Sequence, residues 1–218
     1  MSLADAQLLF AQKVWNHVLP RLIEGDQEAK GRDRLPYLVA FSSLLPLVPA
    51  SLCMSDLSTV SDMYQRTCVC LSQILPLLLR SLALREPDQR LKAINTLIRV
   101  LETQNFSVEV DTLLHQHAVQ LVESLSRSYL IDPSGEMLSN PVSGPLFSDL
   151  PGRPANAQMV RAKALRALAL VPDAIRVDSL RSQKSGVLRD LGKALDDPIR
   201  AVRREAVECR ARWYRYGA

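Results

Sequence analysis

Apolar residues recur at three- and four-residue spacing along almost the whole of this chain, the period of a helix with one buried side. That pattern narrows the fold more than any other feature, because a half-buried strand needs a period of two. The spacing predicts helices at about 5–24, 33–48, 57–84, 87–104, 107–129, 156–171, 177–194 and 198–214. Local punctuation fits these limits. Gly25-Asp26 is read as the end of the first helix, and Pro49 as the stop of the second. Glu86-Pro87-Asp88 opens the fourth, and Asp197-Pro198 supplies an N-cap with proline at the first helical position of the last. Pro76 is expected to bend or divide the long third segment. Leu, Ala, Arg and Val dominate, whereas glycine numbers 8 and aromatics make up 5%, which favours helices over strands. With 47% hydrophobic residues in 218, the chain has enough apolar surface for a continuous core.

The helices resemble one another in pairs. Val18-Leu19-Pro20-Arg21-Leu22-Ile23 recurs as Ile74-Leu75-Pro76-Leu77-Leu78-Leu79, a proline inside an apolar stripe. Met159-Val160-Arg161-Ala162-Lys163-Ala164 recurs as Ala201-Val202-Arg203-Arg204-Glu205-Ala206, with the Val-Arg pairs 42 positions apart. Leu47-Val48-Pro49 and Leu170-Val171-Pro172 form a third match, each closing a helix. A period near 42 is that of HEAT-type helix pairs, which bury their apolar faces only by stacking on neighbours. The reading is therefore an all-α fold, an α-solenoid of about four HEAT-type antiparallel helix pairs in a single domain spanning 1–218. Its repeats fall at about 5–50, 55–105, 107–172 and 177–214. Residues 132–155 hold five prolines and three glycines up to Pro154 and cannot continue a helix. They read as an insertion within the third repeat, pinned back by Leu146, Phe147 and Leu150.

Charge is unevenly placed within the formal net of +4. Residues 153–218 carry 15 Lys or Arg against 7 Asp or Glu, a net +8, and residues 1–152 carry 12 against 16, a net −4. A basic end on an acidic body suits an anionic partner, whether acidic protein or nucleic acid, or a merely solvated face. Arg161 and Arg203 lie one residue round from their core valines. They either brace acidic turn residues, Asp196 and Asp197 for Arg203, or contact a partner.

Enzymatic signatures are missing from the sequence: there is no GxxxxGK loop, no GxSxG elbow and no nucleophile with a recognisable base. Cys68-x-Cys70 and His115-x-His117 attract attention as metal ligands, but residues two apart on a helix point about 200° from each other. Cys53, Cys68, Cys70 and Cys209 show no CxxC pair and read as reduced intracellular thiols. No metal or cofactor is expected. Apolar segments are interrupted before they reach spanning length, so the expectation is a soluble, membrane-free protein of cytoplasm or nucleus.

In the last helix, Ile199, Val202, Ala206, Cys209 and Trp213 should face inward, leaving Arg200, Arg203, Arg204, Glu208, Ala211, Arg212 and Arg215 outward or flanking. The ending Trp213-Tyr214-Arg215-Tyr216, if exposed beside arginines, has the composition of an interface anchor. The run Leu195-Asp196-Asp197-Pro198-Ile199-Arg200-Ala201-Val202-Arg203-Arg204-Glu205-Ala206-Val207-Glu208-Cys209-Arg210-Ala211-Arg212-Trp213 combines a double Asp, a Val-Arg, a Glu-Ala-Val and a Trp at fixed spacing. It resembles the C-terminal signature of the MMS-nineteen (Met-eighteen) family, the large HEAT-repeat adaptor of the cytosolic iron-sulfur assembly (CIA) targeting complex. Weaker likeness extends over Phe10 to Pro20, Leu35-Pro36-Tyr37-Leu38 and the Leu-Pro pairs. Cys209 departs from the family's usual small Ala, and residues 132–155 from its short turn.

The resemblance implies a non-enzymatic scaffold formed from the last four repeats of a longer superhelix. It implies docking of a small DUF-fifty-nine-type CIA protein and, through it, a WD40 propeller protein, so that clusters reach client iron-sulfur apo-proteins, many of them enzymes of DNA metabolism. It also implies cytoplasmic and nuclear residence and no cluster of the adaptor's own. Signature positions that would touch a partner are Arg203, Arg204, Glu205, Arg210, Arg212 and Trp213. Two alternatives stand beside it: a basic helical-repeat module binding nucleic acid directly, and a HEAT adaptor of another complex.

Overall fold

A computed structural model describes residues 3–47, 71–102, 108–130 and 153–217. Among these residues every regular element is a helix. The α-helices are α1 (Leu3–Glu28), α2 (Leu35–Leu44), α3 (Leu71–Ser81), α4 (Pro87–Leu101), α5 (Val108–Gln116) and α6 (Ala118–Leu130). They continue with α7 (Arg153–Ala174), α8 (Val177–Leu180), α9 (Lys184–Leu195) and α10 (Arg200–Arg215), and 3-10 turns at Gly31–Arg34 and Leu45–Leu47 flank α2. Cys53, Cys68 and Cys70, the first part of the expected helix at 57–84 and nearly all of the expected insertion lie outside the described residues.

The helices stack in two layers. Along one layer α2 packs on α4, α4 on α7 and α7 on α10; along the other α3 packs on α6 and α6 on α9. Antiparallel partners join the layers as α1 with α2, α3 with α4, α6 with α7 and α9 with α10. A continuous core runs through the stack, from Trp15, Leu19 and Phe41 through Leu78, Ile94 and Leu97 to Leu168, Leu191, Val202 and Trp213. This is an all-α solenoid, and its cause is the one the apolar spacing suggested: single helices expose a stripe that only the next layer covers.

Several helix ends differ from the sequence expectation for identifiable reasons. Helix α1 runs through Gly25 to Glu28. A Cβ at position 25 would lie 2.2 Å from Tyr37 Cε1, so this glycine serves close approach of α2 and not termination. Asp26, read as part of the stop, is fully buried and forms an ion pair with Arg80 of α3. Pro172 does not close α7, which continues to Ala174. Nor does Pro154 delay it, because the first-turn amides of a helix have no intrahelical acceptor to lose. The predicted helix at 107–129 is interrupted at His117, and that at 177–194 at residues 181–183. In α4 the expected opening holds, with Glu86 as N-cap and Pro87 at the first position.

Candidate protein-interaction site

Helix α10 is anchored at both ends. At its start Ile199, not Asp197, is the N-cap residue, with extended backbone angles of φ −90° and ψ 119°. Asp197 is turned to other work: its Oδ1 accepts the Ile199 N–H at 2.8 Å, while the carboxylate faces Arg161 of α7. Nε of Arg161 lies 3.0 Å from Oδ2, and Nη2 lies 3.4 Å from Oδ1, with both side chains buried. Arg203 braces the same corner through backbone, its Nη1 donating to the carbonyls of Asp197 at 2.7 Å and Pro198 at 2.9 Å.

At the other end, Trp213 is fully buried and donates its indole N–H to the Leu168 carbonyl at 2.9 Å. That carbonyl would ordinarily receive the amide of residue 172, four positions on, but Pro172 has none to give. Tyr216 is also buried, its hydroxyl donating to the Arg176 carbonyl at 2.6 Å with the Ile175 carbonyl 3.1 Å away. Burial raises the Tyr216 phenol above its ordinary pKa. Lys184 of α9 caps the helix C-terminus, its Nζ donating to the carbonyls of Tyr214 at 3.1 Å and Tyr216 at 2.5 Å.

This geometry bears out Trp213 as an inward-facing residue of the helical period and corrects the expectation that the Trp-Tyr-x-Tyr ending is an exposed anchor. Trp213 and Tyr216 are core residues, and only Tyr214 of the three aromatics faces outward. Large aromatics beside arginines look alike in an interface and in a core, and the sequence carries no mark of the carbonyl that Pro172 leaves open. The arginines divide similarly. Arg212 bridges Glu208, with Nε to Oε1 at 3.0 Å, and Asp173 of α7, with Nη1 to Oδ2 at 2.8 Å. The Glu208 bond, with Asp173 adding to it, raises the already high pKa of Arg212. Arg210 lies over the Tyr214 ring at 5.3 Å from its centroid and donates to the phenol oxygen at 3.1 Å. Arg204 and Glu205 meet each other at 3.3 Å, and the Arg204 side chain remains 80% exposed. Of the six signature positions, Arg204 is thus the most open to a partner, whereas Arg203 and Arg212 face their own chain.

Outward positions that the sequence reading left out of its partner-contact set are Arg200, Ala201, Val207, Glu208, Ala211, Tyr214 and Arg215. Their signal was present in the helical period: each lies across the helix from Val202, Ala206, Cys209 and Trp213.

Reactive chemistry is sparse among the described residues. No group of three or more metal-ligating side chains occurs among the described residues, and none of their helices is long and apolar enough to cross a membrane. Burial pushes the Cys209 thiol well above its usual pKa, against a smaller lowering by Arg212. His115 Nδ1 lies 2.6 Å from the Asp111 carbonyl, and its Nε2 accepts the Arg176 N–H at 3.0 Å, so the ring ties α5 to the α7–α8 junction.

Stacked helices with their polar variety on outward faces define a helical-repeat protein of the α-solenoid class. A family profile for the C-terminal region of MMS19, described as "RNAPII transcription regulator C-terminal", matches residues 2–63 and 65–172, and the chain belongs to this MMS19 family. Among its relatives, the fission yeast Schizosaccharomyces pombe "DNA repair/transcription protein mms19" is 26% identical over 95% of this chain. The "MMS19 nucleotide excision repair protein homolog" of Xenopus laevis is 28% identical over 99% of the chain, and that of Homo sapiens 25% over 99%. The chain spans only 16% of the yeast protein and 17% of the Xenopus protein.

Proposed function

We propose that this chain is the C-terminal, partner-docking part of an MMS19-type adaptor in cytosolic iron-sulfur cluster targeting. It acts as a scaffold and not as an enzyme, holding no cluster itself. Its partners are a small DUF-fifty-nine-type CIA protein and, through that protein, a WD40 propeller; the cargo passes to client apo-proteins in cytoplasm and nucleus. Clients among DNA-metabolism enzymes accord with the repair and transcription names carried by the relatives. The observation that carries the reading is the C-terminal helix, fixed to the solenoid at both ends and presenting a side-chain face that no other described element covers.

The competing nucleic-acid reading rests on the net +8 of residues 153–218. Much of that charge is engaged within the protein: Arg161 with Asp197, Arg166 with Glu102, Arg212 with Asp173 and Glu208, and Arg203 and Lys184 with carbonyls. Purified chain immobilised and presented with the purified small partner and propeller tests the proposal. Retention of both, with the propeller depending on the small partner, is expected. Absence of retention by folded chain, or salt-sensitive DNA or RNA binding in its place, would overturn it.

A further inference from the structure

The outward side of α10 is chemically ordered. Arg200, Arg204, Val207, Ala211, Tyr214 and Arg215 are all exposed, and their spacing of three and four residues sets them in one stripe opposite the core positions. Arg200 and Arg204 occupy the N-terminal end, Arg215 the C-terminal end, and apolar surface the middle. Val207 is 59% exposed and Tyr214 53%, the latter held in place by Arg210. Neither Arg200 nor Arg215 forms an ion pair among the described residues, and Arg204 meets only its neighbour Glu205.

The first turn of α10 adds a second observation. It contains no acidic residue, although the amide end of a helix favours negative charge, and Arg200, Arg203 and Arg204 crowd that end. Arg203 is accounted for by its carbonyl contacts and Arg204 has the Glu205 carboxylate at 3.3 Å beside an 80% exposed side chain, whereas Arg200 has no ion pair among the described residues. The nearest carboxylate, that of Asp197, is taken up by Arg161 and the Ile199 N–H, and local departures of this kind concentrate at functional sites. Carboxylates placed over Arg200 and Arg204 would answer both the side-chain charge and the dipole.

We propose that this stripe docks an acidic amphipathic helix of a partner protein, its carboxylates over Arg200 and Arg204 and an apolar ridge on Val207, Ala211 and Tyr214. The occupant is a helix because α10 offers a partner only side chains, its own backbone groups being used internally, so there is no edge for strand addition. At a rise of 1.5 Å per residue the stripe from Arg200 to Arg215 is about 22 Å long, four turns of a facing helix. For the identity of the parent complex the inference rests on the adaptor reading; for the site it rests on α10 alone.

The test uses a designed, end-capped 18-residue helical peptide with Glu on its flanks and a Leu ridge, and a second peptide with every Glu changed to Lys. Fluorescence anisotropy with the intact chain should show salt-sensitive binding of the acidic peptide only. Arg200→Glu with Arg204→Glu, and separately Val207→Asp, should each weaken it at least tenfold, while Arg189→Glu on α9 leaves it within twofold. Unchanged ellipticity is expected for the double variant, since acid in the first turn suits the helix. Equal binding of both peptides, no binding of the acidic one, or full affinity in the double variant would overturn the proposal. Retention of the purified CIA partners is measured in parallel. Peptide binding without partner retention removes the adaptor reading and keeps the site; partner retention without peptide binding does the reverse.

Discussion

At the scale of single residues, Trp213 and Pro172 account for each other. A proline inside α7 leaves the Leu168 carbonyl without its helical donor, and the indole of Trp213, 45 residues from Leu168, supplies one. Trp213→Phe should therefore cost more than shape alone, about 1–3 kcal/mol for the buried carbonyl in addition to packing. Pro172→Ala restores a backbone donor to that carbonyl. In urea melts the double variant is expected to recover part of the Trp213→Phe loss, and strict additivity of the two changes would contradict the account. Adjacent arginines on α10 offer a contrast. Arg203→Glu should lower stability by about 1–2 kcal/mol by removing two carbonyl contacts, and Arg204→Glu should leave the melt within about 0.5 kcal/mol. Sequence placed both arginines correctly on the helix surface. Which of them braces and which projects depends on where the Asp197-Pro198 turn carries its carbonyls, and that is a tertiary fact.

Between elements, the inter-helix joints rest on ion pairs with a buried carboxylate that sequence suggested only in part. An arginine meeting the Asp196-Asp197 turn was legible, but the carboxylate of Asp197 goes to Arg161 from 36 residues earlier, while Arg203 takes carbonyls. Asp26 with Arg80, 54 residues apart, makes the corresponding joint between α1 and α3 and gave no sequence signal, because the Gly25-Asp26 pair reads as a turn. Asp197→Ala should destabilise by about 3–5 kcal/mol, since it strands the buried Arg161 guanidinium. Replacing both partners, Asp197→Ala with Arg161→Met, should recover most of that loss in thermal melts; a double variant as unstable as the single one would argue against the pair. Gly25→Ala tests the first joint. The added methyl meets the Tyr37 ring, so α1 and α2 must separate or the ring must move, and Tyr37→Leu is expected to relieve the strain. Helix existence was thus readable from apolar period, whereas helix ends were decided by contacts with distant chain.

For the whole molecule, the apolar period was sufficient to reveal a stacked all-α fold, but not which helix holds the stack together. Among the described residues helix α7 does so: α4, α6 and α10 all pack on it, whereas α1 packs chiefly on α2. In a quasi-one-dimensional stack, stability is a sum of neighbour terms, so elements with fewer neighbours open at lower free energy. Hydrogen exchange should accordingly be slower in α7 than in α1. Cys209 gives an independent readout of the same gradient. It lies fully buried on the α10 side that faces the core, and burial raises its thiol pKa, so native chain holds it un-ionised and unreachable. With Cys53, Cys68 and Cys70 changed to serine, alkylation of Cys209 by iodoacetamide should wait on detachment of α10. Its rate should rise with Trp213→Phe, which loosens that helix, and respond little to Gly25→Ala at the far end of the stack. Equal acceleration by both substitutions would mean that the solenoid opens all at once and not neighbour by neighbour.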